Sequence, residues 1–208
     1  MTDRRLVMLT FGLLLSACQS VPLGTPGETP EYVAHARQVQ AISVWQVEGR
    51  IGFRYQGDGG TGAMDWRQDN EQIEFSFRGP LGARSFRVSG TPPDLLLETT
   101  DGDSQMLTDP DSELQARFGW SAPFDSLRYW MVGVPSPGDA AKVSVDDEGL
   151  LRGLRQNGWL VEYDRYHDGV PRLPRKLTIQ RDDVRIRIIV DRWRNVNAEP
   201  QALTGFTR

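Results

Sequence analysis

The strongest constraint in this chain is a two-residue rhythm. Between Trp45 and Tyr55 the odd positions hold Trp45, Val47, Gly49, Ile51, Phe53 and Tyr55. The even positions hold Gln46, Glu48, Arg50, Gly52 and Arg54. Successive side chains of a strand point to opposite faces, so this alternation predicts a strand with one buried face. The rhythm returns over 62–67, at Ile73, Phe75 and Phe77, at Phe86 and Val88, over 95–97 and over 105–107. After a gap it resumes over 142–145, 150–155, 159–164, at Leu177 and Ile179, and over 184–190. Turn residues separate these runs: Gly57-Asp58-Gly59-Gly60, Asp69-Asn70, Asp101-Gly102-Asp103, Asn157-Gly158 and Arg181-Asp182-Asp183. Trp193 breaks the final parity, which predicts a bulge near Asp191.

The pattern therefore predicts about eleven antiparallel strands, six before a helical stretch and five after it. Helices are predicted near 31–40, 110–118 and 123–133. The first has Thr29 and Pro30 as start signals and Val33, Ala36, Val39 and Gln40 on one face. The second opens on acidic residues, which suit a helix N-terminus. The third puts Phe124, Leu127 and Met131 on one face with Trp130 beside them, and Gly133 and Pro135 end it. Eight strands make a barrel that side chains can just fill, so eleven would enclose more room. The fold class expected is mainly β with a helical lid: an unclosed antiparallel barrel enclosing a hydrophobic cavity.

Composition narrows function by exclusion. Lys and Arg number 24 against 28 Asp and Glu, so no basic excess is present to follow a nucleic acid. His35 and His167 are the only histidines and Cys18 the only cysteine, which excludes a Cys/His zinc site and an intrachain disulfide. Neither histidine has a serine or carboxylate arrangement that suggests catalysis. No metal, cofactor or catalytic residue is expected.

The N-terminus sets the compartment. Arg4-Arg5 precede an apolar run over 6–15, too short to span a bilayer but the length of a signal-peptide core. Leu15-Ser16-Ala17-Cys18 resembles the bacterial lipobox. That resemblance implies a signal peptide over 1–17, cleavage before Cys18, and lipidation of that cysteine. Loss of Asp3, Arg4 and Arg5 would move the formal charge from −4 to −5. Residues 18–30, rich in Pro and Gly, read as a flexible tether, 31–195 as the barrel and 196–208 as a C-terminal tail. Gln19 in place of Asp after the cysteine resembles an outer-membrane sorting signal, so the expected location is the periplasmic face of the bacterial outer membrane.

Several motifs together resemble the outer-membrane lipoprotein receptor LolB family. They are Gly79-Pro80-Leu81-Gly82, the run from Leu127 to Pro135, Gln156-Asn157-Gly158-Trp159 with Tyr163, and Arg185-Ile186-Arg187-Ile188 through Asp191-Arg192-Trp193. The resemblance covers about Tyr32 to Trp193. It implies a monomer that takes triacylated lipoproteins from the periplasmic carrier LolA. Their acyl chains would be held in the cavity and released into the inner leaflet of the outer membrane, without ATP or cofactor. The family's membrane-inserting loop leucine falls at Leu81, flanked by Pro80 and Gly82. Locally the glycines and proline force a turn, which leaves Leu81 either an exposed wedge or folded back on the sheet. The tail after Asn195 is longer than the family pattern.

The expected acyl contacts are Trp66, Trp130, Trp159 and Trp193, with Met64, Phe75, Phe77, Phe86 and Leu97 sharing inward faces by parity. Ordinary core packing is the competing role for each. Arg185, Arg187 and Arg192 form a basic strand face. It reads as solvated, with an acidic carrier rim or lipid phosphate as alternatives. The rival functions are a scaffolding outer-membrane lipoprotein with a filled barrel and a lipid-modifying enzyme.

Overall fold

The computed structural model describes residues 29–118 and 123–196. Cys18, the signal peptide, the tether up to residue 28 and the tail beyond 196 lie outside the described residues. Helix α1 (Pro30–Gln40) begins at Thr29, whose hydroxyl accepts the Tyr32 amide hydrogen at 3.2 Å. Ala36 and Val39 are buried, Val33 is half-buried, and Gln40 faces solvent rather than the core.

Six strands follow: β1 (Val44–Tyr55), β2 (Asp58–Asp69), β3 (Gln72–Arg78), β4 (Phe86–Thr91), β5 (Asp94–Thr99) and β6 (Ser104–Leu107). Then come α2 (Pro110–Phe118) and α3 (Phe124–Val132). Five strands complete the chain: β7 (Ala141–Val145), β8 (Leu151–Gln156), β9 (Trp159–Tyr166), β10 (Pro174–Arg181) and β11 (Val184–Arg194). All eleven form one antiparallel sheet in the order β6-β5-β4-β3-β2-β1-β11-β10-β9-β8-β7. The sheet is unclosed, as expected.

β6 and β7 are therefore the free edges, and both are short, which limits edge-to-edge pairing with other chains. Leu107 of β6 and Val143 of β7 nonetheless join the same buried cluster as Val47 of β1 and Ile188 of β11. The sheet must curl for its two edges to share one core with its centre. α3 supplies Phe124, Leu127, Trp130, Met131 and Val132 to that core. Among the described residues no helix is long and apolar enough to cross a membrane.

The sheet is continuous because β1 pairs with β11. Along this seam Glu48 faces Arg192 and Gly49 faces Val190, so Asp191 is the extra residue of a bulge on β11. The slip carries Trp193 back to the Val47 side. His167, in the turn before β10, bonds the Val190 carbonyl next to the bulge at 3.0 Å through Nε2. Gly49 is the cost of this close approach: a Cβ there would lie 2.2 Å from the Ile189 carbonyl oxygen.

The first hairpin differs from the turn read at 57–60. Only Gln56 and Gly57 form the connection, both at positive φ as in a type I′ turn, and Asp58, Gly59 and Gly60 already belong to β2. The glycines serve packing: the Phe53 ring would lie 2.9 Å from a Cβ on Gly60.

Two predictions follow from this packing. Gly49→Ala should destabilise the protein by about 3 kcal/mol, because the clash is with backbone at the central seam. The midpoint of urea unfolding, with an unchanged m-value, reads this directly. The second concerns His35 on α1, where burial holds the imidazole pKa below its usual 6.5; Asp146 opposes the shift and Arg172 adds to it. Its Nε2 is buried without a partner. The unfolded chain takes up the proton first, so stability is full above about pH 6.5 and falls as pH drops through that value towards the lowered folded pKa. His35→Gln should flatten the dependence in urea titrations between pH 7.5 and 5.

Candidate functional site

The inward positions of β2 to β5 form one apolar ladder. Met64 faces Phe77, Trp66 faces Phe75, Phe75 faces Val88, Phe77 faces Phe86 and Val88 faces Leu97. All are buried. The rings meet edge-on or tilted, with centroids 5.8 Å apart for Trp66 and Phe75 and 5.5 Å for Phe77 and Phe86. Such geometry favours aromatic pairs beyond the area they bury. On the other flank Trp159 lies under the Arg181 guanidinium, 4.3 Å from its ring centre.

α3 bridges the two flanks. Its Phe124 touches Trp66 and Phe75 at 6.0 and 5.9 Å, and its Trp130 touches Trp159 at 6.3 Å. Gly133, at φ 88°, ends α3 with a left-handed residue, and its amide bonds the Trp130 carbonyl. Tyr163 donates its phenol hydrogen to the same carbonyl at 2.9 Å. Burial pushes the Tyr163 and Tyr166 phenols well above their ordinary pKa, so both remain donors, Tyr166 to the Leu151 carbonyl at 2.7 Å.

Of the residues singled out from sequence, Trp66, Trp130, Trp159, Met64, Phe75, Phe77, Phe86 and Leu97 share one interior. Trp193 sits at its margin, half-buried against Trp45 and donating its indole hydrogen to the Pro174 carbonyl. Four interior residues had no role in the sequence reading beyond pattern or motif: Trp45, Gln68, Gln156 and Tyr163. Trp45 packs between Trp66 and Trp193. Gln68 accepts the Trp66 indole hydrogen at 3.1 Å, and Gln156 accepts that of Trp130 at 3.0 Å. The available signal was parity. Gln68 and Gln156 fall on the apolar register of their strands, and a polar residue there needs a buried partner.

The Pro80–Gly82 turn is a separate feature at the β3–β4 connection. The Gly82 amide bonds the Gly79 carbonyl, the Ala83 amide bonds the Pro80 carbonyl, and the Ser85 hydroxyl bonds the Gly82 carbonyl. At its tip Leu81 is 109% exposed and adopts φ 54°, ψ 24°. It is not folded back on the sheet. A leucine in the left-handed region costs roughly 1–2 kcal/mol, and full exposure returns nothing to folding. Among the described residues, no group of three or more His, Cys, Asp or Glu is placed to hold a metal.

Residues 43–193 match the family model described as outer membrane lipoprotein LolB. The chain belongs to the LolB family. A LolB from Marinomonas sp. (strain MWYL1) is 32% identical over 196 residues, covering 93% of this chain and 98% of its own. A LolB from Alkalilimnicola ehrlichii is 32% identical over 193 residues, covering 91% and 96%. Both are named outer-membrane lipoproteins. Among solved structures, a LolA superfamily protein from Nitrosomonas europaea aligns with TM-score 0.52 at 8% identity, covering 78% of this chain and 92% of that one. This chain thus shares its fold with that protein.

The two buried glutamines yield a prediction. Gln156 also accepts the Ser136 amide hydrogen and donates to the Ser136 and Asp139 carbonyls. Gln156→Leu strips partners from several buried groups and should cost about 3 kcal/mol. Gln68→Leu, which frees only the Trp66 indole and one lost donation to Asn70, should cost less. Equilibrium urea unfolding of the two variants checks the order.

Proposed function

We propose that this LolB-family protein receives lipoproteins from a LolA-type periplasmic carrier and deposits them in the outer membrane. Acyl chains would occupy the concave side of the sheet. The observation that carries this reading is α3, whose apolar face packs over a continuous apolar interior. Its five large buried residues each contribute about 1.5–3 kcal/mol of burial, on the order of 10 kcal/mol together. A long acyl chain contributes about 0.8 kcal/mol per buried CH₂, so one chain is of the right magnitude to replace the helix. The acyl contacts proposed are Trp66, Trp130, Trp159 and Trp193 with Met64, Phe75, Phe77, Phe86 and Leu97. No bond is made or broken in this cycle. Direction comes from affinity alone, with tenfold preference per ~1.4 kcal/mol.

Leu81 is assigned to membrane contact, because its conformation and exposure have no use inside the fold. Pro80 and Gly82 hold it out in a turn closed by its own hydrogen bonds. Lipidation is assigned to Cys18. The start of α1 meets the β7–β8 turn, where a Cβ on Gly149 would lie 2.4 Å from the Tyr32 amide nitrogen. By strand direction this is the end of the sheet opposite Leu81. From Cys18 to Thr29 the chain spans at most ~40 Å, about the length of the twelve-residue β1. An anchor on Cys18 therefore still lets the Leu81 end reach the same bilayer.

A scaffolding role is the second reading. It is favoured by the closed packing of the interior, where Trp66 and Trp130 have no exposed surface. Handover separates the two. A chain begun at Gln19, which keeps every described residue, is incubated with carrier loaded with a triacylated lipoprotein. Receptor function gives net transfer to this chain; a filled scaffold gives none. Leu81→Glu should accept cargo at the normal level but leave it several-fold less inserted in vesicles. Lost receipt with retained insertion would remove Leu81 from its assigned role.

A further inference from the structure

The convex face carries an asymmetry that the cargo reading does not use. Near the α1 end, basic residues are paired with carboxylates: Arg192 and Arg194 with Glu48 at 2.7 and 2.9 Å, and Lys176 with Asp164 at 2.7 Å. Arg50, further along β1, pairs with Asp191 at 2.9 Å. At the opposite end, Arg54 of β1 and Arg185 of β11 face each other across the seam, with Arg187 one outward position further in, opposite Gly52. All three are exposed, and among the described residues none forms an ion pair. Arg192 shares the outward face with Arg185 and Arg187, but it is held by Glu48 towards the α1 end.

These arginines line a groove of about 590 Å³, together with Thr61 and the chain at Gly52 and Gly59. The carboxylates nearest in register are Asp58 opposite Tyr55, Asp182 and Asp183 in the β10–β11 turn, and Glu162 opposite Thr178. None of them pairs with the three. The β3–β4 connection lies at this same end of the sheet, since the strands alternate in direction from β11 to β3. Arg78 and Arg84, on either side of that connection, are also exposed and without ion pairs among the described residues. The end that presents Leu81 is thus a cationic rim on a chain of net charge −4.

We infer that this rim is a docking surface for the phosphate groups of anionic phospholipids, with Arg54, Arg185 and Arg187 as its centre. Guanidinium forks match phosphate oxygens in pairs of hydrogen bonds, and each basic side chain near an anionic surface adds to attraction that salt screens. The rim would orient the molecule so that Leu81 meets the bilayer. The inference rests on the membrane-depositing reading above, but it is tested without cargo.

The experiment is co-sedimentation of the chain begun at Gln19 with vesicles of phosphatidylethanolamine, with and without one third phosphatidylglycerol, at low and at near-physiological salt. The inference expects tighter binding to the phosphatidylglycerol vesicles that weakens with salt. The triple variant Arg54→Gln, Arg185→Gln, Arg187→Gln should lower that affinity on the order of a hundredfold. Arg192→Gln with Arg194→Gln should leave it within about threefold. Thermal unfolding of both variants near the unaltered temperature shows that each is folded; exposed side chains make this the expected result. Undiminished vesicle binding by the triple variant overturns the inference. So does lost cargo receipt from the carrier in vesicle-free solution, which would make the rim a carrier contact instead. Failure of unaltered protein to receive cargo, with vesicle binding intact, would count against the proposed function and leave the lipid surface standing.

Discussion

The pairing of β1 with β11 is the constraint on which the rest of the structure depends. It joins the first and last strands of the chain at the middle of one sheet. Each half is a meander of sequence neighbours, so the two outer edges become β6 and β7, which are consecutive in sequence. The segment between them must cross from one edge to the other, and it carries α2 and α3. A helix that closes over the concave side is thus a consequence of where the sheet was joined. The seam holds a glycine where a Cβ would clash with the Ile189 carbonyl, and a one-residue bulge that returns Trp193 to the Val47 side.

The interior that results is held by two kinds of force. Aromatic and aliphatic side chains supply the burial. A small number of polar contacts decide where α3 sits: the Trp130 indole on Gln156, and the Tyr163 phenol on the Trp130 carbonyl. Non-directional burial tolerates exchange of one apolar occupant for another. Directional bonds do not, so they fix where α3 sits over the sheet. Leu81 stands outside this balance, at a tip whose backbone conformation costs stability and whose exposure returns none.

Most of the sheet was legible in the sequence because a half-buried strand writes its pleat into residue order. Six strands, a helical stretch and five strands could be counted, and the parity fault at Trp193 located the bulge. Glycine was less legible. The run at 57–60 reads as a turn, yet three of its members lie in β2, where the Phe53 ring packs against bare backbone at Gly60. The bonded glutamines were hidden for a different reason: their partners are supplied by residues or elements whose position pattern alone does not give. The arginines of β11 looked alike in sequence, and only the Glu48 carboxylate across the seam distinguishes Arg192 from Arg185 and Arg187.

The central claim is that α3 is the movable wall of an acyl-binding interior. Hydrogen exchange of the chain begun at Gln19, with and without a synthetic peptide bearing a diacylglyceryl cysteine, tests it most directly. The account predicts that bound lipopeptide speeds exchange of the α3 amides over 126–132 while β1, β2 and β11 stay protected. Binding of the lipopeptide with α3 as protected as before would contradict it, and so would exchange unaffected by lipopeptide at saturating concentration.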